Sequence, residues 1–116
     1  MQGFPGELRL KNAAEFDFVF KKPVRSGGRF FTVLARQNGR DHARIGLIIS
    51  KRCAKAAVKR NRLKRLIRET FRLTQTSLSG LDIVVIGKTP AALEESHKLI
   101  ITLNRHWMEL ERCKGS

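Results

Sequence analysis

The chain has 116 residues, enough for one domain around one modest core and too few for two independent ones. Its formal charge is +14, an imbalance that costs self-repulsion in the compact state and points to a polyanionic partner. A hydrophobic fraction of 41% with seven Phe excludes a wholly disordered basic tail, and no apolar run approaches the ~20 residues that a bilayer span requires.

Residues 1–11 mix Gly, Pro and charge and are expected to form an extended arm of a single domain spanning 1–116. Met1-Gln2-Gly3-Phe4-Pro5 has no basic start followed by an apolar stretch, so no signal peptide is expected and the cytoplasm is the expected compartment. Asn12 followed by Glu15 predicts a capping box at the head of a helix over Ala13–Lys21. Phe16, Val19 and Phe20 share one face of that helix, and Phe18 points elsewhere. Pro23 ends it, and Ser26-Gly27-Gly28 reads as a turn.

Residues 30–37 read as a strand with Phe31, Val33 and Ala35 on one face and Phe30, Thr32, Leu34 and Arg36 on the other. Asn38-Gly39 is a hairpin signal. A second strand over 43–50 puts Ile45, Leu47 and Ile49 on one side and Gly46, Ile48 and Ser50 on the other, so the two strands are expected to pair antiparallel. A basic connector over 51–57 leads to a helix over 58–74, with Leu63, Leu66, Ile67, Thr70 and Phe71 as its core stripe. Residues 77–80 break that helix. Leu81–Gly87 is a third strand, apolar almost throughout, as a buried strand would be. Pro90 precedes a last helix over 92–112, turned inward by Leu93, Ile100, Leu103, Trp107 and Leu110 and flanked by Ile101 and Met108. The order α-β-β-α-β-α predicts a small α/β (α+β) sandwich, a mixed sheet with packed helices.

Between Lys51 and Arg72 stand ten cations: Lys51, Arg52, Lys55, Lys59, Arg60, Arg62, Lys64, Arg65, Arg68 and Arg72. Only Glu69 opposes them, whereas solvated charged helices normally alternate in sign. Arg60, Lys64, Arg68 and Arg72 recur every fourth residue, roughly 6 Å apart along a helix, near the spacing of phosphates on an extended strand. Arg adds a bidentate fork for phosphate. A membrane-surface helix is disfavoured because the apolar side is needed for this domain's own core. No helix-turn-helix, zinc finger or zipper is present. Exposed Phe on a sheet would favour single strands by stacking; Phe16, Phe20 and Phe30 are the candidates. His42, His97 and His106 are scattered and the acids are few, so neither a catalytic constellation nor a metal site is expected. Cys53 and Cys113 lack metal-ligand spacing and are expected as reduced thiols, Cys53 as a small buried loop residue.

Arg44-Ile45-Gly46-Leu47-Ile48-Ile49-Ser50-Lys51-Arg52, followed by Ala56-Ala57-Val58-Lys59-Arg60-Asn61-Arg62-Leu63-Lys64-Arg65-Leu66-Ile67-Arg68-Glu69, closely resembles the bacterial ribonuclease P protein component. Leu8-Arg9-Leu10 ahead of Glu15-Phe16 and Val19-Phe20, and Asp82-Ile83-Val84-Val85-Ile86, extend the resemblance along nearly the whole chain. The resemblance implies a ribonucleoprotein subunit that helps remove the 5′ leader of precursor tRNA. It implies that the RNA subunit is the catalyst, with Mg2+ held mainly by RNA, and that the polypeptide alone is not catalytic. The implied partners are ribonuclease P RNA and precursor tRNA, without membrane or obligate protein partner. By position, the implied RNA-facing set is Lys51, Arg52, Lys59, Arg60, Asn61, Arg62, Lys64, Arg65 and Arg68. The implied leader cleft, between that helix and the sheet, is lined by Phe16, Phe20, Phe30 and Leu34. Family members often carry a tyrosine where Leu34 stands; this chain has none. The resemblance also implies a fold shared with a ribosomal protein domain and a left-handed βαβ crossover, against the general right-handed rule. A ribosomal or other structural RNA-binding protein without a processing role fits the composition equally well.

Overall fold

A strand that is apolar on both sides is stable only where both its faces are covered. Leu81–Gly87 is such a strand: Leu81, Ile83, Val84 and Val85 are buried. In the computed structural model, which describes residues 5–114, it lies in the interior of a four-stranded sheet. The strands are β1 (Val24–Ser26), β2 (Phe31–Gln37), β3 (Arg44–Ile48) and β4 (Leu81–Gly87), in the order β1-β2-β4-β3. β4 runs antiparallel to β2 and parallel to β3. The helices are α1 (Ala13–Lys21), α2 (Ala57–Thr74), the short α3 (Thr89–Leu93) and α4 (Ser96–Lys114), with a 3-10 turn at Gly6–Leu8. Among the described residues no helix is long and apolar enough to cross a membrane.

Three sequence expectations are corrected. β2 and β3 run in opposite directions but do not pair, because β4 inserts between them and takes hydrogen bonds from both. Burying on two sides a strand that is apolar apart from the paired Asp82 outweighs closing a short hairpin. Val24–Ser26, whose Ser26 was expected to open a turn, is an edge strand on β2; three residues are too few to show a period. The last helix is two helices. Glu94 is extended (φ −90°, ψ 153°), and Arg62 holds the break by donating to the Glu94 carbonyl (2.9 Å) and Ser96 Oγ (2.8 Å). Leu93, expected inward, is therefore exposed, and Leu99 takes the inward place, with Ile100 only partly buried.

The sheet has two differently covered faces. Phe31, Val33, Ala35, Ile45, Ile83 and Val85 pack in one core with α2 and α4. The α2 stripe is Leu63, Leu66, Ile67, Thr70 and Phe71, as its 3.6 period predicts. Trp107 on α4 meets Phe71 edge-on and donates from Nε1 to Thr70 Oγ1 at 3.0 Å. On the opposite face, Leu10, Val19, Leu34 and Val84 form a smaller core beneath α1.

Asn12 caps α1 by accepting from the Glu15 N–H at 3.0 Å. Glu15 reaches back to the Lys11 N–H, one residue before the expected capping-box partner. Its other oxygen accepts from Arg44 Nη1 at 2.8 Å. Arg44 also forms a two-pronged pair with the buried Asp82 on the neighbouring strand, at 2.9 and 2.7 Å, and Asn38 Nδ2 donates to Asp82 at 2.8 Å. One guanidinium thus ties α1, β3 and β4 together. Residues 9–10 extend the β3 edge: Arg9 bridges Ile45, and the Leu10 N–H donates to the Ile45 carbonyl at 3.0 Å.

At the far edge Ser26 Oγ donates to Glu109 Oε2 (2.9 Å) and lies 2.7 Å from Nδ1 of the buried His106. With that hydroxyl proton committed, His106 Nδ1–H is the donor to Ser26. Burial first, then the charges of Arg105 and Lys88 against the opposing pull of Glu109, hold the imidazole below its usual range.

Two outcomes are expected. Arg44→Ala leaves Asp82 as an uncompensated buried charge and costs about 3–5 kcal/mol in equilibrium urea unfolding. His106 stays neutral in the fold but protonates in the unfolded chain below its ordinary pKa of 6.5. Stability is therefore full above that pH and falls as pH drops toward the lowered folded value; urea midpoints at stepped pH for the wild type and His106→Gln will show that slope only in the wild type.

Candidate functional site

The buried stripe of α2 fixes the helix's rotation and so decides where each cation goes. Lys59, Asn61, Arg65 and Arg72 are exposed on the outward side, with Lys51 and Arg52 exposed on the connector before it. Arg60, Lys64 and Arg68 follow one flank and are half-buried. For Arg68, burial and then the charge of Arg9 hold the guanidinium below its usual range. Arg62 lies on the other flank, against the α3–α4 junction. The first turn of α2 contains no acid and its N-cap residue, Ala56, makes no side-chain cap, so the helix dipole adds positive potential beside Lys55 and Lys59.

Asn61 is exposed between two arginines that both work inside the protein. Arg60 Nη1 donates to the carbonyls of Ala54 (2.9 Å) and Lys55 (2.7 Å), which fixes the connector. Arg62 fixes the break between α3 and α4. Sequence reasoning treated both as free cations; their backbone partners lie in irregular segments that carry no periodic signal. Each guanidinium has five donors, so these bonds do not use up either one.

The second surface is on the opposite side of the sheet. The expected cleft between α2 and the sheet is not there, because Leu63 and Ile67 pack fully buried in the core on that face. The open face is the one carrying α1. Across it the register aligns Arg25, Leu34, Val84 and Gly46 in one row, and Thr32, Ile86 and Ile48 in the next. The Phe16 ring lies over Gly46, where any Cβ would collide with it; this glycine is what allows the ring to reach the sheet. Phe18 packs on the same core, and the Arg36 guanidinium stacks on it at 4.0 Å while donating to its carbonyl at 2.8 Å. Phe20, one turn beyond Phe16, is 41% exposed.

Phe16, Leu34 and α1 are therefore brought together, and Ile48, Ile86 and Thr32 join them. Those three went unnoticed because the alternation in β2 and β3 reveals faces but not the strand between. Phe30 is not part of this surface. It precedes β2, so strand alternation does not reach it, and it packs against the α2–α4 core with Arg29 5.9 Å from its ring. Leu34, expected in the cleft, is buried in the smaller core beneath α1.

Cys53 is buried in the connector. Its thiol donates to the Lys88 carbonyl at 3.3 Å, and burial pushes its pKa up, so it is a protonated packing group. Both cysteines are free. Among the described residues no three His, Cys, Asp or Glu gather as a metal would require. Glu15 and Asp82 come together, but both are engaged by Arg44. The molecule thus offers a ridge of cations on α2 and, on the opposite side of the sheet, the partly buried apolar side chains of Phe16, Phe18, Ile48 and Ile86 packed on the smaller core beneath α1. The two meet where β3 ends, with Ile48 on the α1 side and Lys51 and Arg52 beginning the ridge.

Residues 4–111 match the family model described as Ribonuclease P. The chain is 47% identical over 115 residues to the ribonuclease P protein component of Methylococcus capsulatus, covering 98% of this chain and 90% of that relative. It is 44% identical to that of Chromobacterium violaceum, covering 93% and 89%. Its fold is similar to the RNase P protein of Staphylococcus aureus, with TM-score 0.80 and 33% identity over 89% of this chain and 94% of that one. It is also similar to that of Thermotoga maritima, with TM-score 0.69 and 32% identity over 84% and 96%.

The internal bonds of Arg60 separate it from its exposed neighbour. Arg60→Gln is expected to cost about 1–3 kcal/mol by urea unfolding, from the loss of charge-assisted bonds to two carbonyls. Arg65→Gln is expected to stay within about 0.5 kcal/mol of the wild type.

Proposed function

The chain belongs to the ribonuclease P protein family, and from that premise we propose that it is the protein subunit of a ribonuclease P ribonucleoprotein acting in 5′ maturation of tRNA. The observation that carries the reading is the ridge on α2, where a buried apolar stripe holds Lys59, Asn61, Lys64, Arg65 and Arg68 in fixed positions. Lys51, Arg52, Arg60 and Arg62 continue it at the connector and the α3–α4 junction. A rigid array loses less conformational entropy on meeting RNA than a flexible basic tail would. Its partner is ribonuclease P RNA, bound through phosphates and with strong salt dependence.

The cleft beneath α1 receives the single-stranded leader of precursor tRNA. Phe16 and Phe20 supply faces for bases to stack on. Leu34, Ile48 and Ile86 supply an apolar floor that holds a base without reading its edge. Phe30, partly buried against the other core, supports the loop ahead of β2 and does not touch the leader. By taking the leader on one face and the ribozyme on the other, the protein orients the substrate, a contribution through positioning.

The chemistry belongs to the RNA. Mg2+ supplies an activated water for phosphodiester hydrolysis when bound there; among the described residues Glu15 and Asp82, which come together, are both paired with Arg44. The protein works in the cytoplasm, with precursor tRNA. A ribosomal or purely structural role is not favoured, since the named relatives and solved structures are all ribonuclease P proteins.

Reconstitution with a bacterial ribonuclease P RNA is expected to restore precursor cleavage at Mg2+ concentrations where the RNA alone is inactive. Failure of that rescue, with tighter binding to ribosomal RNA at matched salt, overturns the reading.

A further inference from the structure

A second stretch of one sign lies outside the α2 ridge. From Phe18 to Arg40 the chain has six cations and no acid. Lys21, Lys22, Arg25 and Arg29 stand around β1, and all four are exposed. β1 is the edge of the sheet farthest from β3. Among the described residues no carboxylate pairs with any of the four. Lys21 suits its place in the last turn of α1, where the helix dipole favours a cation, and Arg29 lies 5.9 Å from the Phe30 ring. Neither account covers Arg25.

The register gives Arg25 a direction. It stands opposite Leu34 in the β1–β2 ladder, and directly opposed residues point to the same face, so its side chain is on the α1 side. The row continues through Val84 to Gly46. α1 crosses the sheet over this face. The residues before it lie along β3, the Phe16 ring lies over Gly46, and only Lys22-Pro23 join its end to β1. Its nine residues span roughly 14 Å, about the width of three strand spacings. The last turn therefore ends toward β1, and Phe20 on that turn is 41% exposed. An exposed aromatic ring and an exposed guanidinium are thus brought to the same edge of the face.

We propose that Arg25 holds a backbone phosphate of the single-stranded leader where it leaves the α1 face, next to the base stacked on Phe20, through two N–H groups of its guanidinium fork. The proposal rests on the leader reading of the α1 face given above and adds to it a cation at the β1 edge. A single strand presents a base face and a phosphate at every nucleotide, and a ring beside a fork matches one such unit. Because Arg25 is at the edge of the sheet, only a leader long enough to reach β1 gains from it.

The test uses the holoenzyme reconstituted with a bacterial ribonuclease P RNA. It measures binding of leaderless tRNA and of precursors whose leaders lengthen one nucleotide at a time, across a salt series. Wild type and Arg25→Gln are compared with the control Arg40→Gln, an exposed cation of the same acid-free stretch beside the opposite end of α1. Arg25→Gln is expected to match the wild type for leaderless tRNA and short leaders. From the length at which the leader reaches β1 it is expected to bind about tenfold more weakly, and for those leaders alone the log–log salt slope falls by about 0.7. Arg40→Gln is expected to follow the wild type at every length. A loss in Arg25→Gln that is the same with and without a leader, or an equal loss in Arg40→Gln, means general charge and overturns the proposal.

Charged residues also guard sheet edges against pairing with another chain. If Arg25→Gln changes only the self-association of the protein, read by sedimentation, and binds every leader as the wild type does, Arg25 is an edge guard; the proposal then fails while the leader preference of the wild type stands. If the wild-type holoenzyme binds leaderless tRNA as tightly as every precursor, the leader reading of the α1 face falls and this proposal falls with it. Folding of each variant is checked by its urea midpoint. Where Arg25→Gln does not keep the wild-type midpoint, Arg25→Lys retains the charge and removes the fork. It is expected to keep the salt slope and to bind long leaders about threefold more weakly; undiminished binding overturns the forked contact.

Discussion

The central strand β4 has no polar face to offer water. Its apolar residues must be covered from both sides, and that requirement organises the molecule. It draws β2 and β3 to either edge of β4 and calls for helices on both surfaces of the sheet. α2 and α4 cover one surface and the shorter α1 covers the other. The first supports a ridge of cations on the solvent side of a firmly packed helix; the second leaves Phe16, Phe18, Ile48 and Ile86 only partly buried.

Electrostatics is divided in the same way. Three of the chain's ten acids serve internal ties. Asp82 and Glu15 hold Arg44, which links α1 to the sheet, and Glu109 helps hold β1 against α4. On α2 itself Glu69 alone opposes the outward cations, so the ridge keeps its field. In a protein of charge +14, that field attracts a polyanion and remains costly until one arrives.

Several basic residues of the proposed RNA-binding ridge also do structural work. Arg60 and Arg62 fix irregular segments on either side of α2 while sitting within the most cationic stretch of the chain. A loss of RNA binding on substituting either one therefore mixes lost contact with lost geometry. Gly46 is the converse: it has no side chain, and its role is the space it gives to Phe16.

Elements with a clear local period were legible in the amino-acid sequence. The α2 stripe, the faces of β2 and β3, the Asn12 cap and the density of cations on one helix all follow from contiguous residues, because helix and strand repeats write their buried face into the order of the chain. The placement of β4 between β2 and β3, the edge strand at Val24–Ser26, the break at Glu94, the side taken by Phe30 and the partners of Arg44, Arg60 and Arg62 were decided only by the tertiary structure. Each depends on groups distant along the chain or on segments without a repeat, and the deciding quantity is the burial and hydrogen bonding of the whole sheet, which no local stretch encodes.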